Sequence, residues 1–310
     1  MNCQYSLLQH EALLHIAGPD ALTFLQGQTT CDTRKLDPDH ALPGVYCTPQ
    51  GRVVCDFLLS QLAGGYYALR MRRDIRASAG TTFGKYIIFS KAELDAGRDD
   101  WQVLSCWGQD AAQALREIFG VAPAAPFAAC SGEGFVLAQV DEGGQQFECY
   151  LDSETNPQWL TRIAELMQPS AEGAWQALEI ANGIGRIEAA TVEEFIPQML
   201  NYDLTGHISF NKGCYTGQEV VARLHYRGKP KRRMYLAEIP GMESAAAGAP
   251  LFSTGTEQSV GNVVNSVLAD GQVVGLVVAT ASGVENGLYL DAKDGPILSI
   301  GELPYSLQSD

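Results

Sequence analysis

The strongest chemical signal in this chain is a cysteine in a glycine-flanked loop, within the run Asn211, Lys212, Gly213, Cys214, Tyr215, Thr216, Gly217, Gln218, Glu219. Thr216 followed three residues later by Glu219, just ahead of Val220 and Val221, reads as a capping box that opens a helix. That helix is expected to reach Tyr226, with Glu219 and Arg223 paired at i, i+4 and Gly228 ending it. Cys214 then lies at a helix N-terminus, two residues from Lys212. A helix dipole and an ammonium each favour the thiolate, the nucleophilic form of cysteine. Cys214 is therefore a candidate reactive thiol, with Lys212 as its activator. The plain alternative is one more inert cysteine among eight.

Weaker patterns carry less chemistry. Gly183-Ile184-Gly185-Arg186-Ile187-Glu188 nearly matches a dinucleotide fingerprint, but Glu188 replaces the third glycine and a helix, not a strand, is expected before it. Gly80-Thr81-Thr82-Phe83-Gly84-Lys85 is one residue short of a phosphate-binding loop. His207 and His225 flank Cys214, so a Cys–His hydrolase is conceivable, although chance proximity explains them as well. None of the eight cysteines has the C-x-x-C spacing of a metal or redox site, and no metal centre is expected.

Composition bounds the partners. The 310 residues carry 21 Lys and Arg against 36 Asp and Glu, a net charge of −15. Such a chain is poorly suited to coating nucleic acid or an anionic membrane, and direct nucleic-acid binding is not expected. The bases are clustered, however. Arg70, Arg72, Arg73 and Arg76 form one group, and Arg223, Arg227, Lys229, Lys231, Arg232 and Arg233 another. Either group suits a local anionic ligand, or simply solvated loops. No N-terminal signal and no membrane-length apolar run are visible, and together with the free thiols this points to the cytoplasm.

Several elements must position these residues. A short helix is expected over Ala21–Gln26, capped near Asp20 and ended by Gly27, as the one clear helix of the first 95 residues. Strands are expected over Val53–Leu62 and Tyr66–Met71, joined by a hairpin at Ala63-Gly64-Gly65, and again over 101–108. Helices follow from Asp110 to Phe119, Pro157 to Met167 and Gly173 to Ala181, with residues 121–134 as a loop. From Met234 onward, short Val- and Leu-rich runs between Gly, Asp and Asn read as a small all-β domain holding nine acids and one base, Lys293.

The run Lys212–Glu219, together with Phe24–Thr30, Arg186–Ala189, Phe195–Gln198 and the basic run Arg223–Arg233, resembles the YgfZ family of folate-binding proteins. These are bacterial relatives of a mitochondrial iron–sulfur assembly factor, and the resemblance covers most of the chain. It implies an α+β fold of the aminomethyltransferase (T-protein) type, three domains in a ring around a tetrahydrofolate site. The domains would be 1–95, 96–230 (intertwined with the first) and 231–310, the last a small β-barrel. The resemblance aligns Gly51-Arg52-Val53-Val54-Cys55-Asp56 with a T-protein stretch whose first Asp is catalytic. Cys55 stands in that position, which argues against aminomethyl transfer. Glu188 matches a carboxylate that hydrogen-bonds the pterin. Arg186 and Tyr215 are grouped with it, and Arg232 and Arg233 would reach the glutamyl carboxylates.

The function so implied is binding of tetrahydrofolate or a one-carbon derivative in support of iron–sulfur enzyme assembly or repair. A role in tRNA modification would be indirect, through a tRNA-modifying enzyme that needs its cluster. Two rivals remain: a true aminomethyltransferase, opposed by Cys55, and a tRNA-contacting module built on residues 223–233, opposed by the net charge.

Overall fold

Runs of aliphatic and β-branched residues between Gly- and Asp-rich turns become strands of three sheets in the computed structural model, which describes residues 1–307. In hydrogen-bonding order, the first holds Gln168–Pro169 (β11), Gln4–Leu7 (β1), Trp101–Trp107 (β7), Gln146–Asp152 (β10), Phe135–Gln139 (β9) and Ala129–Gly132 (β8). The second holds Leu42–Cys47 (β3), Val53–Gln61 (β4), Tyr66–Arg72 (β5), Glu11–Ala17 (β2) and Glu93–Asp95 (β6). The third, a curled half-barrel near the C-terminus, holds Leu288–Leu290 (β16), Pro250–Ser253 (β13), Gly261–Ala269 (β14), Gln272–Thr280 (β15), Arg232–Ile239 (β12) and Ser299–Gly301 (β17). The helices are Ala21–Gln28 (α1), Arg73–Ile87 (α2), Ala111–Phe119 (α3), Gln158–Leu166 (α4), Glu172–Ala181 (α5), Gln218–Arg227 (α6) and Ala281–Glu285 (α7). No described helix is long and apolar enough to cross a membrane.

The chain forms two compact units. One comprises residues 1–45, 55–172 and 211–215, and the other 46–54, 173–210 and 216–310. In the first unit, Ala111, Ala114, Leu115 and Ile118 recur at helical spacing and bury one face of α3 against Leu104, Cys106 and Phe147. Ile163 of α4 joins this core, with Trp159 and Leu166 beside it. Burial of each large aliphatic side chain stabilises by roughly 1.5–3 kcal/mol. In the second unit, Ala237, Val263, Val273 and Val277 centre the core of the half-barrel.

Several local expectations are corrected. The first 95 residues hold a second helix, α2, whose Ser, Thr and Gly content hid a buried stripe of Ile75, Ala79 and Phe83. Gly80 lies in that helix, where a Cβ would come within 3.0 Å of the Ala96 Cβ. Gly80 to Lys85 is thus close-packed helix, not a phosphate loop. Asp20 makes no side-chain cap; its carboxylate accepts from the Lys91 N–H at 2.8 Å, and α1 runs through Gly27. Residues 121–134 include strand β8.

The first basic cluster is neutralised internally. Arg70 is buried and donates to Glu148 at 2.8 Å, with Glu11 at 3.5 Å and the Tyr150 hydroxyl donating to the same Glu148 carboxylate. Arg73 and Arg76 share Asp99 at 2.9 and 2.7 Å.

Candidate functional site

Lys212 is buried, and its ammonium donates to three backbone carbonyls: Gln26 at 2.8 Å, Thr29 at 2.5 Å and Cys31 at 2.6 Å. These carbonyls gather where α1 ends, the electronegative pole of a helix. The loop that offers them is held by its own side chains. The Thr29 hydroxyl and N–H both donate to the Leu25 carbonyl, and the Gln26 carboxamide accepts from the Thr33 N–H and donates to Asp32. Burial pushes Lys212 down to about 8, which leaves it protonated at neutral pH with all three N–H groups used. Its Nζ also lies 5.2 Å from the centre of the buried Tyr215 ring. Lys212 therefore clamps the motif to residues 26–31. The residues that make the cradle act through main-chain atoms, so their side-chain types do not announce it.

The clamp leaves Cys214 in solvent. All eight cysteines are free thiols; six are buried, Cys130 is half-buried, and Cys214 is exposed.

Asp32, which braces this loop, should make it acid-sensitive. Bidentate hydrogen bonds from Arg34, with help from Gln26, hold its carboxyl down at about 2 against an ordinary 3.8. A depressed folded-state value means the contribution is complete above about pH 4 and lost as pH falls towards 2. Unfolding midpoints of wild type and Asp32→Asn should differ near neutral pH and converge at the acid end. A constant gap across that range would refute the assignment.

Beyond Tyr215 the chain enters the second unit, and α6 starts later than expected. Its N-cap is Gly217, at φ +85°, and Thr216 precedes the cap rather than forming it. A Cβ on Gly217 would stand 2.6 Å from the Thr48 carbonyl oxygen, so glycine is required both by the backbone angle and by the close approach. The expected Glu219–Arg223 pair is not among the ion pairs of the described residues. Buried Val221 anchors α6, and its carbonyl accepts from the Gln198 carboxamide at 2.7 Å. His207 stacks on Tyr202, and His225 on Phe210.

A second group of candidates gathers in the same unit. Asn265 lies just past a register shift in β14 and bridges two of them: it accepts from the Arg186 N–H at 2.6 Å and donates to Glu188 at 2.6 Å. The Glu188 carboxylate also accepts from the Thr191 N–H in a reciprocal cap. The Arg186 guanidinium pairs with Glu179 at 2.9 Å. Glu188 has no cation partner among the described residues and keeps acceptor capacity. Asn265, distant in sequence, is a site residue that pattern reading missed. Arg233 is committed to Asp203 at 2.6 and 2.9 Å and to the Gln198 carbonyl, while Arg232 donates to the Ser259 carbonyl at 3.2 Å. Cys55 is fully buried in β4, and its neighbour Asp56 is buried too.

No protein-family profile matches the chain. Curated relatives do. A protein of Klebsiella pneumoniae (strain 342) described as tRNA-modifying protein YgfZ is 32% identical over 300 residues, covering 96% of this chain and 91% of that one. A protein of the same description from Escherichia coli O7:K1 is also 32% identical with the same coverage. Among solved structures, the glycine cleavage system aminomethyltransferase T from Bartonella henselae superposes with a TM-score of 0.78 over 98% of this chain and 86% of that one. At 15% identity that likeness establishes the fold.

Proposed function

The chain belongs to the YgfZ family, and from that premise we propose that it binds tetrahydrofolate or a one-carbon derivative and supports assembly or repair of iron–sulfur enzymes, among them one that modifies tRNA. The observation that carries this reading is the Cys214 loop: a buried lysine is used to hold a short segment whose thiol is exposed. Such a thiol is available to a partner protein, whereas a structural cysteine is normally buried. Eight free thiols suit a reducing compartment, and we place the protein in the cytoplasm.

The residues present fit a reduced pterin. Glu188 is half-buried, lacks a counter-ion and is oriented by Asn265, so it can accept from the paired amino and ring N–H groups of a pterin edge. When bound, the folate would supply reduced-pterin or one-carbon chemistry. The role of this chain is to hold and orient it through Glu188. Arg186, fixed by Glu179 and Asn265, acts as a support for Glu188. Arg233 is already paired with Asp203, which leaves Arg232 the freer of the two for a glutamyl carboxylate. A transferase would need a carboxylate where Cys55 lies fully buried.

Reduced folate at about 100 times its dissociation constant should stabilise the protein by roughly 2.7 kcal/mol, read as a raised melting temperature. Glu188→Ala should remove most of that shift, since the pterin donors would lose their acceptor. An equal shift in wild type and variant would contradict the role of Glu188. No shift in either would contradict folate binding.

A further inference from the structure

We propose that the exposed end of α6 and the segment after it, Arg223 to Lys231, form a docking surface for single-stranded RNA. Arg223, Arg227, Lys229 and Lys231 are all exposed, and none has an acidic partner among the described residues. No acid occurs in sequence between Glu219 and Glu238. Several arginines elsewhere are matched to carboxylates, Arg34 with Asp32, Arg70 with Glu148, Arg98 with Asp100, Arg186 with Glu179 and Arg233 with Asp203, while Arg52 and Arg162 donate singly to main-chain carbonyls; what sets residues 223–231 apart is four exposed cations within nine residues. A chain of net charge −15 that leaves four neighbouring cations unneutralised has a local positive field, and that field suits a polyanion.

Aromatic rings distinguish the kind of polyanion. His225 stacks on Phe210 with centroids 3.6 Å apart and planes 10° apart. Tyr226 stands edge-on to His225 at 4.7 Å and is 66% exposed, high for so large a ring. A carboxylate-rich protein face needs only the cations, and although rings also serve protein interfaces, an exposed ring set among cations is the arrangement that base stacking uses. Unstacked bases would use both, the phosphates meeting the cations and a base stacking on the ring. Arg223, Tyr226 and Arg227 fall at i, i+3 and i+4, so one face of the helix presents a ring between two guanidinium groups. The surface includes neither Glu188 nor Cys214, and it would make the contact with RNA direct.

The test is fluorescence anisotropy with a labelled oligouridine, at several salt concentrations, on wild type, Tyr226→Ala and the double variant Arg227→Glu/Lys229→Glu. Inorganic polyphosphate, duplex RNA and polyglutamate serve as competitors, and circular dichroism verifies folding of each variant. Wild type should bind with a log–log salt slope of about −3, from four contacts at about 0.7 each. Tyr226→Ala should weaken oligouridine binding by roughly 5-fold or more while leaving polyphosphate binding unchanged. The double charge reversal should abolish both. Absence of binding by wild type at low salt would overturn the proposal, as would binding that survives the charge reversal. So would a Tyr226→Ala protein that binds oligouridine as wild type does, which would make the patch a general polyanion site. Tighter competition by duplex RNA or polyglutamate than by oligouridine would assign the surface to another partner.

Discussion

Lys212→Met is expected to lower stability by on the order of 3 kcal/mol, because it strips a charged donor from three carbonyls and leaves them in a buried cradle. For a unit of this size that corresponds to a fall of roughly 6–12 °C in the melting temperature. Lys212→Arg should recover only part of the loss. A planar guanidinium directs its N–H groups outwards in one plane, whereas the three carbonyls converge on a single nitrogen. Loosening of residues 211–215 should also broaden the signals of the residue 26–31 loop in solution spectra. A Lys212→Met protein as stable as wild type would show that the lysine is not a clamp.

The fold was legible where sequence carries periodicity. Helix α3 announced itself by Ala111, Ala114, Leu115 and Ile118 on one stripe, and the β4–β5 hairpin by its Gly64-Gly65 turn. Helix α2 was not legible, because Gly80, Thr81, Thr82 and Gly84 have low helix propensity and tertiary packing of Ile75, Ala79 and Phe83 outweighs them. The start of α6 was misplaced for a related reason. Thr216 and Glu219 match a capping box, but the close approach of Thr48 to Gly217 sets where the chain turns.

The site was legible in its residue types and opaque in its roles. Spacing alone put Lys212 near Cys214 and suggested electrostatic activation. The clamp itself could not be read there: it is a set of main-chain oxygens contributed by residues almost two hundred positions earlier, and main-chain oxygens leave no mark in a sequence. Charge pairing behaved likewise. The two basic clusters look alike in the sequence, yet the first is closed by Asp99 and Glu148 while much of the second is left open.

Cys214→Ala is expected to have the largest functional effect and almost no structural one. The thiol is exposed, so its removal creates no cavity, and exposed substitutions usually change stability by no more than about 0.5 kcal/mol. Folate-induced stabilisation should persist, since the proposed pterin acceptor is Glu188, in the other unit. The most direct measurement is complementation of a strain lacking its own YgfZ protein, read as the activity of an iron–sulfur enzyme, with wild type, Cys214→Ala and Cys214→Ser at matched expression. The account predicts restored activity with wild type and activity at the empty-vector level with both variants, each as stable as wild type. Full restoration by a stable Cys214→Ala protein would contradict it and reduce the motif to a structural loop.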